Sequence, residues 1–311
     1  MTPSTQPDLR VSFAGIELKN PIIAASGTFG YGIEFEDIVH LDRLGGFVAK
    51  GLSREPMTGN PPPRLFETAA GMLNAIGLQN IGAQAFLSEK LPALREKKNV
   101  VVIANVFGYT RADYEQTIEI LNQGEGIAAY EINVSCPNTA HGGVQFGSDP
   151  HLLDEVVATA KRTAARPIIV KLSPNVTSIA QMAYVAQEAG ADAISLVNTF
   201  LAMAINPQTR RPRIANVTAG LSGPAIKPIA LRMVYDAAHA VKIPVIGIGG
   251  ISTPADVVEF MLAGAVAVQV GTVSYFDPVA TETLVDELTT YCREQRIERL
   301  SDLTGGMISD S

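Results

Sequence analysis

Eight short runs rich in Val, Ile and Ala recur along the chain, at Pro21–Ala25, Gly46–Lys50, Val100–Asn105, Ala128–Ser135, Pro167–Ser173, Asp192–Asn198, Pro244–Gly249 and Ala265–Gly271. Each is nearly continuous in apolar character instead of alternating, the pattern of a parallel strand covered on both faces. Amphipathic stretches lie between them, among them Asp149–Ala164, Ser178–Ala189, Pro224–Val241 and Thr253–Ala263. Asp149 ahead of Pro150, and Thr253 ahead of Pro254, put a capping side chain before a proline suited to the first helical position. Eight strand–helix units with right-handed crossovers predict an α/β fold, the (β/α)8 TIM barrel.

Such a barrel needs about 250 residues, and the chain has 311, so it carries insertions. Two follow strand C-termini: Gly51–Gln79, dense in Pro and Gly, and Phe200–Gly223. Val11–Leu18 reads as a hairpin plugging the barrel bottom, with Ala14-Gly15 at its turn. The whole of residues 1–311 is expected to form one domain. With 24 Lys and Arg and a net charge of −7, there is no basic stripe for a nucleic acid. Met1–Arg10 is too polar for a signal peptide, and no apolar run approaches the roughly 20 residues of a membrane span. A cytoplasmic protein is expected. Cys136 and Cys292 are far apart, and the four histidines are scattered. A structural zinc or an iron–sulfur cluster takes about four ligands, mostly thiolates, so neither is expected on this chain.

Chemistry in this fold sits at the C-terminal ends of the strands. There the sequence places Ser26-Gly27, Lys50-Gly51, Asn105, Asn133 through Asn138, Lys171, Asn198-Thr199, Gly249-Gly250 and Gly271-Thr272. Glycines after strands 7 and 8, the pair Gly249-Gly250 and the single Gly271, with Gly223 nearby, suit a phosphate, because their N–H groups can turn toward an anion. The same glycines also fit ordinary turns. Lys50 and Lys171 each end an apolar strand, where an ammonium needs an anionic ligand or a structural salt bridge. Asn74, Asn105, Asn133, Asn138 and Asn198 offer planar donor–acceptor pairs, suited to a flat heterocycle such as a pyrimidine or flavin. Cys136 opens a glycine-rich stretch through Gly147, and a free thiol can serve as a base near neutral pH with modest help. Cys292, in the last helix, reads as structural.

Several runs together resemble the dihydroorotate dehydrogenases: ASGTFG at Ala25–Gly30, GNPPPR at Gly59–Arg64, GMLNAIGLQN at Gly71–Asn80, NVSCPN around Cys136, KLSPNVT at Lys171–Thr177 and GLSGPAIKP at Gly220–Pro228. The resemblance covers essentially the whole chain. It implies one FMN per chain, held by Ser26, Lys50, Gly51, Asn105, Asn133, Lys171, Val197, Gly223, Gly249, Gly250, Gly271 and Thr272. It implies dihydroorotate contacts at Lys50, Asn74, Ala75, Ile76, Gly77, Leu78, Asn133, Asn138, Asn198 and Thr199. Cys136 would remove the C5 proton while hydride leaves C6 for the flavin N5, and Lys171 would stabilise charge on the reduced ring.

The cysteine base resembles the soluble members, and AASGTFGYG, GMLNAIGLQN and GLSGPAIKP look like the NAD-linked type. That type implies a homodimer core in a heterotetramer with two electron-transfer subunits carrying FAD and an iron–sulfur cluster. The fumarate-linked type is the alternative within the family. Outside it, a Schiff-base aldolase using Lys171 also fits the bare barrel.

Overall fold

A computed structural model describes residues 6–135, 137–138 and 144–308 of the chain. Eight parallel strands close into a barrel in sequential order. Barrel strands 1 to 8 are Ile22–Ala24, Gly46–Val48, Val102–Val106, Ile127–Asn133, Ile168–Lys171, Ala193–Leu196, Val245–Ile248 and Ala265–Val270. Each lies within or beside its apolar run, usually a residue or two shorter at the C-terminal end. There the ladder stops because the chain turns outward to build the mouth. Ile22, Ile23, Ile103, Ile169, Val170 and Ile194 are fully buried, as expected of strands packed on both faces.

The helices Pro150–Thr163 and Pro254–Leu262 begin at the anticipated caps. Asp149 accepts from the N–H groups of His151 and Leu152, and Thr253 accepts from Asp256 N–H in a reciprocal capping box, the arrangement that satisfies otherwise orphaned donors. Helices Ile179–Glu188, Lys227–Ala240 and Ala280–Glu294 continue the outer ring. Between strands 1 and 2 stand only the 3-10 turns Ile33–Phe35 and Leu41–Arg43. The hairpin Val11–Phe13 with Ile16–Leu18 turns at Ala14 and Gly15, whose φ values of 50° and 78° are those of a tight hairpin turn. Val11, Phe13, Ile16 and Leu18 face the barrel core while their neighbours face outward.

The two insertions do not remain loops. Leu65–Thr68 and Gly71–Asn74 form a hairpin, and Ala219–Ser222 pairs with it antiparallel, followed by Phe200–Ala202. The result is one four-stranded sheet from segments about 140 residues apart, with Leu73, Ile214 and Ala219 forming a small core of their own. Leu65 and Leu201 stand exposed on this sheet, and Met203, Ile205 and Val217 stand exposed on the segment that connects its last two strands.

Candidate active site

A cavity of about 530 Å³ opens at the C-terminal mouth, between the strand ends and the insertion sheet. That volume lies within the usual range for a small-molecule site, about 300–1,000 Å³. Of the residues singled out in the sequence, Ser26, Lys50, Gly51, Asn74, Ala75, Ile76, Gly77, Leu78, Asn105, Asn133, Lys171, Val197, Asn198, Thr199, Gly223, Gly249, Gly250, Gly271 and Thr272 all line it. Cys136 lies outside the described residues. Asn138 is placed only by its backbone, which pairs with Val144.

One end of the cavity is shaped by glycines. Gly223, Gly249 and Gly250 have φ values of 99°, 138° and 72°, a region that favours residues without a Cβ. A Cβ on Gly250 would stand 2.8 Å from the Gly223 carbonyl oxygen, and one on Gly223 would stand 2.7 Å from Gly71 Cα. Three backbone segments therefore approach one another as only glycine permits, forming a cradle at the start of the Pro224–Ile226 turn. Behind it Lys227 pairs with Asp256 and, at 2.9 Å, with Glu259. Burial pushes Asp256 up, but the Lys227 ammonium and the Ser252 and Thr253 N–H groups hold it below the usual carboxylate range.

At the other end the loop Asn74–Leu78 is held by backbone bonds, from Asn60 N–H to Ile76 and from Ala75 N–H to Arg64. Asn198 donates to Asn133 Oδ1 at 3.2 Å and to Ser135 Oγ at 2.8 Å, and accepts from Thr199 N–H at 2.8 Å. Since Asn133 Oδ1 also accepts from Ser135 N–H, that amide oxygen is occupied and its NH2 remains to face the cavity. Lys50 has no carboxylate partner among the described residues. Burial, with the Arg64 charge nearby, lowers its pKa.

Lys171 is placed differently. Its Nζ is 3.5 Å from Glu131 Oε1, and Glu131 is completely buried. Glu131 also accepts from Asn105 Nδ2 at 2.7 Å, from Ser195 Oγ at 2.9 Å and from Gln269 Nε2. This carboxylate joins strands 3, 4, 5, 6 and 8 directly beneath the mouth, and the sequence reading missed it. The signal was present: Glu131 is the one charge in strand 4, two residues before Asn133, hence on the same inward face. Gln269 Oε1 is buried without a hydrogen-bond partner among the described residues and belongs to the cavity wall.

Comparison with known proteins agrees with this geometry. The family model described as dihydroorotate dehydrogenase matches residues 8–291. A Solibacter usitatus protein, provisionally named dihydroorotate dehydrogenase A (fumarate), is 59% identical over 96% of this chain and 98% of its own length. The catalytic subunits of dihydroorotate dehydrogenase B (NAD(+)) from Geotalea uraniireducens and Citrifermentans bemidjiense are 53% and 52% identical, over 98% and 97% of this chain and 99% of their own lengths. On the match across nearly its whole length, the chain belongs to the dihydroorotate dehydrogenase family.

Proposed function

We propose that the chain oxidises (S)-dihydroorotate to orotate, in pyrimidine nucleotide synthesis, with one FMN in the barrel-mouth cavity. The observation that carries this reading is the convergence in one cavity of a glycine-built cradle, two lysines and a group of oriented amides. The cradle at Gly223, Gly249, Gly250, Gly271 and Thr272 fits a phosphate, because its close backbone approaches leave room for an anion and no Cβ. The unpartnered Gln269 Oε1, beside Asn105 and Lys171, fits a polar ring edge. Ser26, Gly51, Asn133 and Val197 complete the proposed FMN contacts.

When bound, FMN supplies the two-electron acceptor for hydride. The chain's residues orient the substrate and manage its proton. Lys50, a half-buried ammonium with no carboxylate partner among the described residues, pairs with the substrate carboxylate. The NH2 of Asn133, aimed by its own occupied oxygen, and the Asn74–Leu78 loop with Asn138, Asn198 and Thr199 hold the pyrimidine. Cys136 takes the C5 proton. Lys171 would offset negative charge on the reduced flavin. Its pairing with Glu131 disfavours the imine-forming aldolase, which needs an unpaired, desolvated amine.

The electrons pass to NAD through a partner subunit carrying FAD and an iron–sulfur cluster. Relatives named as NAD-linked catalytic subunits, at 50–53% identity, support this. The assembly proposed is a heterotetramer around a homodimer, and the exposed apolar residues of the two insertions favour a second copy there. A cytoplasmic location goes with this reading, and no helix among the described residues is long and apolar enough to cross a membrane. The fumarate-linked reading is favoured by the Solibacter usitatus relative. Anaerobic titration with dihydroorotate should bleach the flavin band, and a bound flavin that stays oxidised would refute the assignment. Reoxidation by fumarate alone, against reoxidation by NAD only with the partner, separates the two acceptors. Cys136→Ala should keep the flavin and lose most turnover.

A further inference from the structure

A fully buried carboxylate beneath a ligand cavity is costly unless it is paired and hydrogen-bonded. Glu131 is satisfied completely: three neutral donors from strands 3, 6 and 8 and one cation from strand 5 converge on its two oxygens. Three of those partners, Asn105, Lys171 and Gln269, form cavity wall, whereas Glu131 and Ser195 do not. Glu131 therefore touches no ligand and acts only through groups that do.

Its effect has two parts. Geometrically, it fixes the Asn105 amide, so that Nδ2 points down and Oδ1 toward Gly51, 3.0 Å from where a Cβ there would stand. It also draws the Lys171 ammonium to one place. Electrostatically, it brings a negative charge within 3.5 Å of the cavity's inner cation. A ring that becomes more negative on reduction is stabilised by Lys171, and a fixed anion behind that lysine removes part of the stabilisation, more strongly in a dry interior than in water.

We propose that Glu131 is a positioning residue that aims Lys171 and Asn105 and, by partly cancelling the Lys171 charge, sets the flavin's reduction potential below the value Lys171 alone would impose. The inference rests on the FMN reading above. Glu131→Gln is the direct test, because it removes the charge and keeps the shape. A glutamine NH2 at this position would face Gln269, whose Oε1 can turn to accept from it, so the network can close again with the Gln269 amide reversed, and Ser195→Ala checks the charge effect with that amide in place.

The midpoint potential of the FMN-loaded protein is measured anaerobically against a reference dye. In Glu131→Gln the flavin's two-electron equilibrium constant for reduction should rise at least tenfold, a positive shift of about 30 mV. A variant that binds FMN with an unchanged or more negative potential overturns the proposal. If Glu131→Gln takes up no flavin, Ser195→Ala decides. It removes one donor from Glu131 outside the cavity, leaves the carboxylate's charge less neutralised, and should lower the same constant at least twofold. No change there also overturns it. A wild-type protein that binds no FMN refutes the flavin reading itself and is thereby distinguished from failure of this inference.

Discussion

The two cavity lysines sit in opposite electrostatic circumstances, so the same substitution should change stability in opposite directions. Lys171→Met leaves Glu131, at 0% exposure, without its cation. Breaking a buried pair in this way costs about 3–5 kcal/mol, and the three remaining donors to Glu131 place the expected loss near the lower figure. Lys50→Met removes an ammonium that burial and Arg64 already disfavour and that has no carboxylate partner among the described residues. The flavin-free protein should gain stability, by about 0.5–2 kcal/mol, as when a functional group is replaced by one that merely packs. Lys50 binds its proton more weakly folded than unfolded. The unfolded chain therefore holds more protons as pH climbs through the folded-state pKa, and wild-type stability rises over that interval. The advantage of Lys50→Met should shrink between about pH 7 and about pH 9.5, below the unfolded lysine pKa of about 10.4. Urea unfolding of the flavin-free proteins at both pH values measures all of this. The same Lys50 variant, loaded with FMN, should bind orotate about 10- to 150-fold more weakly, from the loss of a charge-assisted hydrogen bond of about 1.5–3 kcal/mol. The reasoning is refuted if both variants shift stability in the same direction, or if Lys50→Met binds orotate as the wild type does.

Other sites give sharper local tests. Gly250→Ala places a Cβ 2.8 Å from the Gly223 carbonyl oxygen at φ 72°, which should cost about 2–4 kcal/mol in strain and overpacking and reduce FMN affinity by more than tenfold in a fluorescence titration. Asp256→Ala loses a capping box and the Lys227 pair, and should destabilise the protein by about 2–4 kcal/mol at neutral pH. Because Asp256 is held below its unfolded pKa, this difference is full above about pH 4 and fades as pH falls through the folded value, as acid-unfolding midpoints would reveal. Leu73→Ala empties the small core of the insertion sheet and should cost about 2–4 kcal/mol of local stability. Hydrogen exchange should report it at Gly220–Ser222, with the barrel strands unaffected.

The barrel was legible because each strand, buried on both faces, must be apolar along its whole length, and because Asp149 and Thr253 announce their helices chemically. Cavity-lining residues at strand ends were legible for a related reason: Lys50, Lys171 and the asparagines interrupt apolar runs where a fold of this type places its mouth. Glu131 escaped because it lies inside a strand instead of at its end, and because its meaning depends on Ser195, Gln269 and Lys171 from three other strands. The union of the insertions escaped as well. Nothing local in Gly71–Asn74 names Ala219–Ser222 as its neighbour; only the closed barrel brings their anchor points together.

That union has a consequence for how the molecule is made. A chain emerging from the ribosome exposes its N-terminal half first, and the hairpin Leu65–Asn74 is complete long before its partner strand exists. Asn74 and Gly220, joined in the finished sheet, are separated by 146 residues. Until then one edge of the hairpin has unpaired N–H and C=O groups, an invitation to pair with another chain. The roof over the cavity thus assembles late, through contacts far apart in sequence and correspondingly slow to find. Ligand capture has to wait longer still, until synthesis passes Thr272 of the cavity wall, and a chain truncated before Ser222 would expose an open hairpin edge and have no pocket.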